Sequence, residues 1–373
     1  MAQSLLGWLS LWVGRSPIYQ KLRQHLTQIE GSFQPVDHFV ELYHSATYID
    51  GEREHHLKRH IHRGLQHYIA PMPQPRAGTP DPQRLAVVTK FWHPDDPIYC
   101  GFGRWVGALS RRYAVDLWHI GTPTAATDGF DRVTVLECHG GQMDLEALAG
   151  HGAMAVCFLE VGRSLESLWL ANLRLAPIQM ACLGHPVTTA GAELDYFISG
   201  AEVELGRGAE QFYSERLVLL PNAGLELSLS PAGDLPQSLP PDPLVILCPW
   251  ELPTLNHPLL QLLHKILRES RVPLCFRLLV GASLNRYNDY LSCRQEVHRI
   301  LGDHFELLPT KTYPEWRSLM TQGHLCLDAY PVGVPWAIAT ALSLGIPAIT
   351  LEAGAGITGP VPGYCDTTNV QNW

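Results

Sequence analysis

Leu85-Ala-Val-Val-Thr89 is a short β-branched run, Ile98 to Tyr113 carries apolar residues at helical spacing, and Val115-Asp-Leu-Trp-His-Ile120 is a second short run. Strand, helix and strand in that order predict a parallel βαβ unit. The pattern continues through Val133-Thr-Val-Leu136, Ala155-Val-Cys-Phe-Leu159, Ile178-Gln-Met-Ala-Cys182 and Tyr196-Phe-Ile-Ser199. It then restarts at Leu244-Val-Ile-Leu-Cys248. A helix over Pro258 to Ser270, the strand Leu274 to Val280, a helix over Tyr290 to Leu301 and the strand His304 to Leu308 follow. The series ends with the helix Tyr313 to Gln322, the strand Leu325 to Leu327, the helix Trp336 to Ser343 and the strand Ala348 to Leu351.

Two proline-rich stretches, each with five prolines, separate these blocks at Pro71 to Pro82 and Pro231 to Pro243. Proline removes a backbone donor and resists helix and sheet interiors, so each reads as a linker. Residues 1–70 show helical spacing, as at Leu57, Ile61, Leu65 and Tyr68, and form an all-α cap. The expected organisation is therefore an all-α cap (1–70), a linker (71–83), a Rossmann-like half (84–230), a second linker (231–243) and a second Rossmann-like half (244–373). Two doubly wound α/β halves on a hinge describe a GT-B-like or periplasmic-binder-like architecture, with ligand at the carboxyl ends of the strands.

The chain has 373 residues, of which 46% are hydrophobic and 17% charged, enough apolar material for about two domains. Its longest apolar runs fall short of the ~18 residues that cross a bilayer. The patch Leu5 to Val13 has no preceding Lys or Arg and no cleavage pattern after it, so it reads as an amphipathic helix packed on the body. Nine cysteines stand singly with no C-x-x-C pair, the usage of a reducing cytoplasm. The net charge of −9 carries no basic block, which disfavours nucleic acid. Only Lys21, Lys58, Lys90, Lys265 and Lys311 are lysines, so lysine-dependent chemistry has few places to reside.

Glycines at strand ends let backbone N–H groups approach a phosphate: Gly281 after Val280, Gly333 after Tyr330, and Gly184 before His185. No G-x-G-x-x-G, G-x-x-x-x-G-K-[ST] or G-x-S-x-G is present, which argues against dinucleotide, P-loop and α/β-hydrolase sites. His185, on a strand-end loop before Thr188-Thr189, is placed to donate to an oxyanion or accept a proton. The cluster His55, His56, His60, His62 lacks an H-E-x-x-H arrangement. It reads as a solvated, mixed-charge helix, and no metal site is assigned.

Three motifs, Asn172-Leu-Arg-Leu-Ala-Pro-Ile-Gln179, Leu183-Gly-His-Pro-Val-Thr-Thr-Ala-Gly-Ala-Glu-Leu-Asp-Tyr-Phe-Ile-Ser199 and Phe212-Tyr-Ser-Glu-Arg-Leu-Val-Leu-Leu-Pro221, resemble the O-GlcNAc transferases and the bacterial cytoplasmic adhesin N-glycosyltransferases. A weaker likeness runs from Leu325-Cys-Leu-Asp328 to Thr350, and together they cover about residues 85–351. The cap resembles the short all-α domain of the N-glycosyltransferases. The resemblance implies a cytoplasmic, metal-independent, inverting GT-B enzyme without a cofactor. Such an enzyme moves a hexose from UDP-glucose or a related UDP-hexose to Asn, Ser or Thr of an acceptor protein such as an adhesin. It also implies that the family continues with a further layer beyond the position of Trp373.

The family's diphosphate-binding residues map onto this chain with changes. Thr254 or Leu255 stands where the family has a lysine, and Val334, Pro335, Trp336 and Thr340 stand where it has an Asn- or Thr-rich loop and an acid. Phe102 replaces a histidine and Ala282 a glutamine. Each lost charge-assisted contact costs about 1.5 to 3 kcal/mol. Lys311, close to a family lysine, and Arg286 are available to compensate. The implied site is thus His185 and Thr189 near the reaction, with Lys311, Gly281, Thr254, Gly333 and Thr340 around the nucleotide sugar. Three readings follow: an active transferase, a catalytically silent member that scaffolds a paralogous transferase or an adhesin, and a GT-B protein for another nucleotide sugar.

Overall fold

The computed structural model describes residues 39–47, 53–72, 74–123, 127–139, 142–204, 208–227, 242–250, 254–280, 287–309, 312–330 and 332–350. Two parallel sheets dominate it. The first contains β1 (Asp81–Thr89), β2 (Ala114–Ile120), β3 (Arg132–Leu136), β6 (Ala153–Phe158), β7 (Ile178–Cys182), β8 (Tyr196–Gly200) and β9 (Arg216–Leu220), in the order β3-β2-β1-β6-β7-β8-β9. A small antiparallel pair, β4 (Cys138–His139) and β5 (Gln142–Met143), sits between β3 and β6 in sequence. The second sheet contains β10 (Leu244–Cys248), β11 (Leu274–Val280), β12 (Phe305–Pro309), β13 (Leu325–Leu327) and β14 (Ala348–Ile349), in the order β12-β11-β10-β13-β14.

The strands read as unbroken apolar runs because both faces of the first sheet are covered. On one face Val87, Val115, Leu117 and Cys157 pack with Ile98, Phe102 and Val106 of α3 (Pro97–Leu109). The opposite face, with Ala86, Val88, Trp118, Val156 and Phe158, packs with the cap. Among the described residues the cap holds α1 (Phe39–Ala46) and α2 (Arg53–Ile69), whose Phe39, Tyr43, Leu57, Ile61, Leu65 and Ile69 join the same core. The expected inward Tyr68 is exposed, and Ile69, one turn beyond Leu65, takes its place.

Elements connect as expected for doubly wound halves, with caps that the sequence supplies. Asp96 caps α3 by accepting from the Ile98 N–H at 2.8 Å, with Pro97 in the first position. The helix α4 (Leu165–Leu170) follows β6 and is capped by Ser164. In the second half, Asn256 caps α5 (His257–Glu269) and Thr312 caps α7 (Tyr313–Met320). The remaining helices are α6 (Tyr287–Leu301) and α8 (Pro335–Ser343). β1 starts inside the first proline-rich stretch. Pro82 is tolerated there because pairing with β2 begins only at Arg84 and the register with β6 is broken between Asp81 and Leu85.

Gly184 joins the end of β7 to the end of β6: its N–H donates to the Leu159 carbonyl at 3.0 Å. A Cβ at this position would fall on that carbonyl and on the Ile98 side chain. Gly184→Ala is therefore expected to destabilise the first half by about 3 kcal/mol, the upper part of the overpacking range, in urea unfolding. Unchanged stability would mean that the two strand ends separate freely.

Among the described residues no helix is long and apolar enough to cross a membrane. The N-terminal patch Leu5 to Val13 and the second proline-rich stretch up to residue 241 lie outside the described residues.

Candidate functional site

In each sheet the chain order reverses at one place, between β1 and β6 in the first and between β10 and β13 in the second. Ligands of open α/β sheets bind at the carboxyl ends of the strands beside such reversals. An acid follows the strand on the far side of each: Glu160 after β6 and Asp328 after β13.

Glu160 is fully buried, and its Oε1 accepts from the Lys90 N–H at 3.1 Å. Its Oε2 has no hydrogen-bond partner among the described residues. Burial raises its pKa to about 7, although bonds from Thr89 and the Lys90 N–H, and the Arg163 charge, act in the opposite direction. Arg163 lies over the Phe91 ring at 4.5 Å, with its guanidinium 3.8 Å from Asp96. Burial raises the Asp96 carboxyl as well, against the pull of Arg163. The Lys90 ammonium is taken by Glu166 at 3.0 Å.

Across in the second half, Asp328 Oδ1 accepts from the N–H groups of Ala329 and Val334, both at 2.8 Å, so the loop wraps around this carboxylate. Burial raises Asp328 to about 6. Gly333 is buried in that loop, which leads into Pro335, the first residue of α8. In the first turn of α8 the Trp336 ring lies 5.3 Å from Trp316 and 5.7 Å from Tyr313, themselves 5.7 Å apart, with the three planes within 29° of one another. Thr340 donates to the Trp336 carbonyl at 2.8 Å. Burial raises the Tyr313 phenol's pKa, and Cys100 and Asp95 of the first half lie within electrostatic reach of it. The two halves therefore face each other here.

Of the residues expected at the site, five are described, His185 and Thr189 in the first half and Thr254, Gly333 and Thr340 in the second. His185, only 2% exposed, and Thr189 lie in a polar seam between the cap and the loop after β7. His185 Nε2 meets the Thr47 hydroxyl at 2.9 Å and the Lys58 ammonium at 3.5 Å. Burial, followed by the Lys58 charge, holds its pKa well below the usual imidazole value. Thr189 is held by Glu215 through its N–H at 3.0 Å and through its hydroxyl. Its carbonyl accepts from Tyr43 at 3.0 Å and from His62 at 2.8 Å. Thr254, Gly333 and Thr340 are buried in the second half. Thr254 accepts through its carbonyl from the Asn256 N–H at 2.7 Å, so it shapes the turn into α5. Lys311, Gly281, Ala282 and Arg286 lie outside the described residues.

One expectation is corrected. The histidine-rich helix α2 is not a uniformly solvated surface, because Lys58 and His62 are fully buried. Their partners include backbone carbonyls: Lys58 donates to Thr188 at 3.1 Å and His62 to Thr189. Among the described residues no three His, Cys, Asp or Glu converge to hold a metal ion.

The chain is similar to proteins of known activity. The chain is 22% identical over 355 residues to a UDP-glucose:protein N-beta-glucosyltransferase of Actinobacillus pleuropneumoniae serotype 5b, a match covering 89% of this chain and 56% of that protein. The enzyme of serotype 7 is 23% identical over 244 residues, covering 63% of this chain and 38% of its own length. A variant of the Thermobaculum terrenum O-GlcNAc transferase superposes with a TM-score of 0.62 at 20% identity, covering 88% of this chain and 64% of that one. The chain is a divergent relative of these protein glycosyltransferases. No family profile matches it. It spans about half the length of the curated relatives it matches.

The fold of this glycosyltransferase relative is GT-B, with two parallel-sheet halves. Among the described loop residues at the carboxyl edge of its second sheet (249–250, 254–256, 312, 328–330 and 332–334) there is no lysine or arginine. Glu160, Arg163 and Asp328 were not singled out from the sequence as site residues. The available signal was positional: an acid directly after an apolar strand on the far side of each reversal.

Proposed function

We propose that the chain carries the core of a protein glycosyltransferase. In this reading it transfers a hexose from UDP-glucose or a related UDP-hexose to an Asn, Ser or Thr side chain of an acceptor protein such as an adhesin, in the cytoplasm. The transfer inverts the anomeric carbon and uses neither metal nor cofactor. The observation that carries the reading is the likeness to UDP-glucose:protein N-glucosyltransferases along 89% of the chain, across both halves of the cleft. The acceptor nucleophile attacks the anomeric carbon from the side opposite UDP, and the negative charge growing on UDP must be offset. Lys311 and the N-terminal end of α8 supply that offset in the second half. Arg163 is the cation of the first half at the β1–β6 reversal, and His185 and Thr189 position the loop after β7 from beneath.

The carboxyl edge of the second sheet favours a second reading. The described loops there hold no cation, and three aromatic rings occupy the approach to α8. A silent member that binds an adhesin or a paralogous transferase fits those features. Calorimetric titration with UDP and UDP-glucose separates the two readings. Micromolar binding lost by at least tenfold in Lys311→Ala is the expected result, equivalent to about 1.4 kcal/mol. No binding up to millimolar nucleotide would overturn the enzyme reading in favour of the scaffold.

A further inference from the structure

We infer that Trp336 is the built-in occupant of a ring-stacking site formed by Tyr313 and Trp316, and so competes there with the flat base of a nucleotide donor. The inference rests on the glycosyltransferase reading. α7 follows β12 and α8 follows β13, so all three rings stand at the carboxyl edge of the second sheet, where a nucleotide is received.

The backbone fixes the indole there. Helical side chains lean toward the N-terminus of their helix, so a ring in the first turn of α8 stands beside that end, against the rings of α7. Pro335 holds the preceding φ, and the Val334 N–H is bound to Asp328 at 2.8 Å. Tyr313 and Trp316 of α7 both stack with Trp336 of α8, so the two helices hold their rings against each other. The near-parallel planes, within 29°, and spacings of 5.3 to 5.7 Å are those of offset stacked aromatic pairs. Trp336 therefore already covers ring surface of Tyr313 and Trp316 that a planar base would use.

A ligand with a flat ring must displace Trp336, whereas a ligand without one gains nothing from its removal. Trp336→Ala is thus expected to bind uridine and UDP at least tenfold more tightly than the unaltered chain, with no gain for pyrophosphate. Trp336→Leu keeps apolar bulk without a flat ring. It provides the same test if the alanine variant folds poorly, as judged by circular dichroism. Adding Trp316→Ala to either variant should abolish the gain.

Calorimetry with uridine, UDP and pyrophosphate on these proteins decides the matter. Equal affinities for UDP in the unaltered chain and both Trp336 variants would overturn the inference while leaving Lys311-dependent binding, and the glycosyltransferase reading, intact. Weaker binding in the variants would overturn it by making Trp336 a ligand contact. If no protein binds any nucleotide, the inference and the reading beneath it both fail.

Discussion

Glu215→Ala is expected to lower stability by about 4 kcal/mol, read as a fall in the urea-unfolding midpoint. The carboxylate is almost fully buried. It accepts from the Thr188 hydroxyl at 2.7 Å, the Thr189 N–H at 3.0 Å, the Thr189 hydroxyl and the Ser214 hydroxyl at 3.0 Å. Hydrogen bonds to a charged group contribute about 1.5 to 3 kcal/mol each, and truncation leaves buried donors unsatisfied, though such losses are not additive. The effect reaches the cap as well. Thr188 and Thr189 present the carbonyls that Lys58, His62 and Tyr43 bind, so releasing the loop also loosens α1 and α2. Glu215→Gln keeps one acceptor oxygen and is expected to lose about half as much. A loss below about 1 kcal/mol for the alanine variant would show that the cap is held by its apolar core alone.

This seam marks the limit of what the sequence displayed. The strands of both halves were legible because a sheet covered on both faces needs continuous apolar runs, and Leu85–Thr89, Ala155–Leu159 and Leu274–Val280 are such runs. β9 was visible only as part of a motif. It is an edge strand with Leu219 exposed, so its pattern is weaker. β4 and β5 are two residues each, too short to display a period. In α2 the polar composition indicated solvent, yet the partners of Lys58 and His62 lie in a loop more than a hundred residues away. Buried polar side chains satisfied by distant backbone carbonyls leave no local pattern. The aromatic cluster was half legible: Tyr313 and Trp316 share a helical face at i, i+3, but their contact with Trp336 exists only once β13 places α8 beside α7.

The stability advantage of Glu160→Gln over the unaltered chain is expected to grow by about 3 kcal/mol between pH 4.5 and pH 8. Glu160 has its pKa raised to about 7 in the folded chain from an ordinary value of 4.5. A raised pKa means that the folded state holds the proton more tightly. Its contribution is complete below pH 4.5 and is lost as pH rises through 7. The amide keeps an acceptor for the Lys90 N–H and cannot ionise, so it escapes that loss. His62 works in the opposite sense: burial lowers its pKa to about 4, so its contribution is present above pH 6.5 and is lost as pH falls through 4. Asp328, raised to about 6, sides with Glu160, and His185, held low, sides with His62. Between pH 4.5 and 6.5 the two senses oppose each other, which flattens the profile of the unaltered chain and hides both from it. Single variants remove one side at a time. Urea unfolding of Glu160→Gln at pH 5, 6.5 and 8 should therefore diverge from the unaltered chain on the alkaline side. His62→Gln should diverge on the acid side. A difference for Glu160→Gln that stays constant across the range would mean that the carboxyl ionises as freely in the fold as in the unfolded chain, which its burial beside β1 and its unpartnered Oε2 oppose.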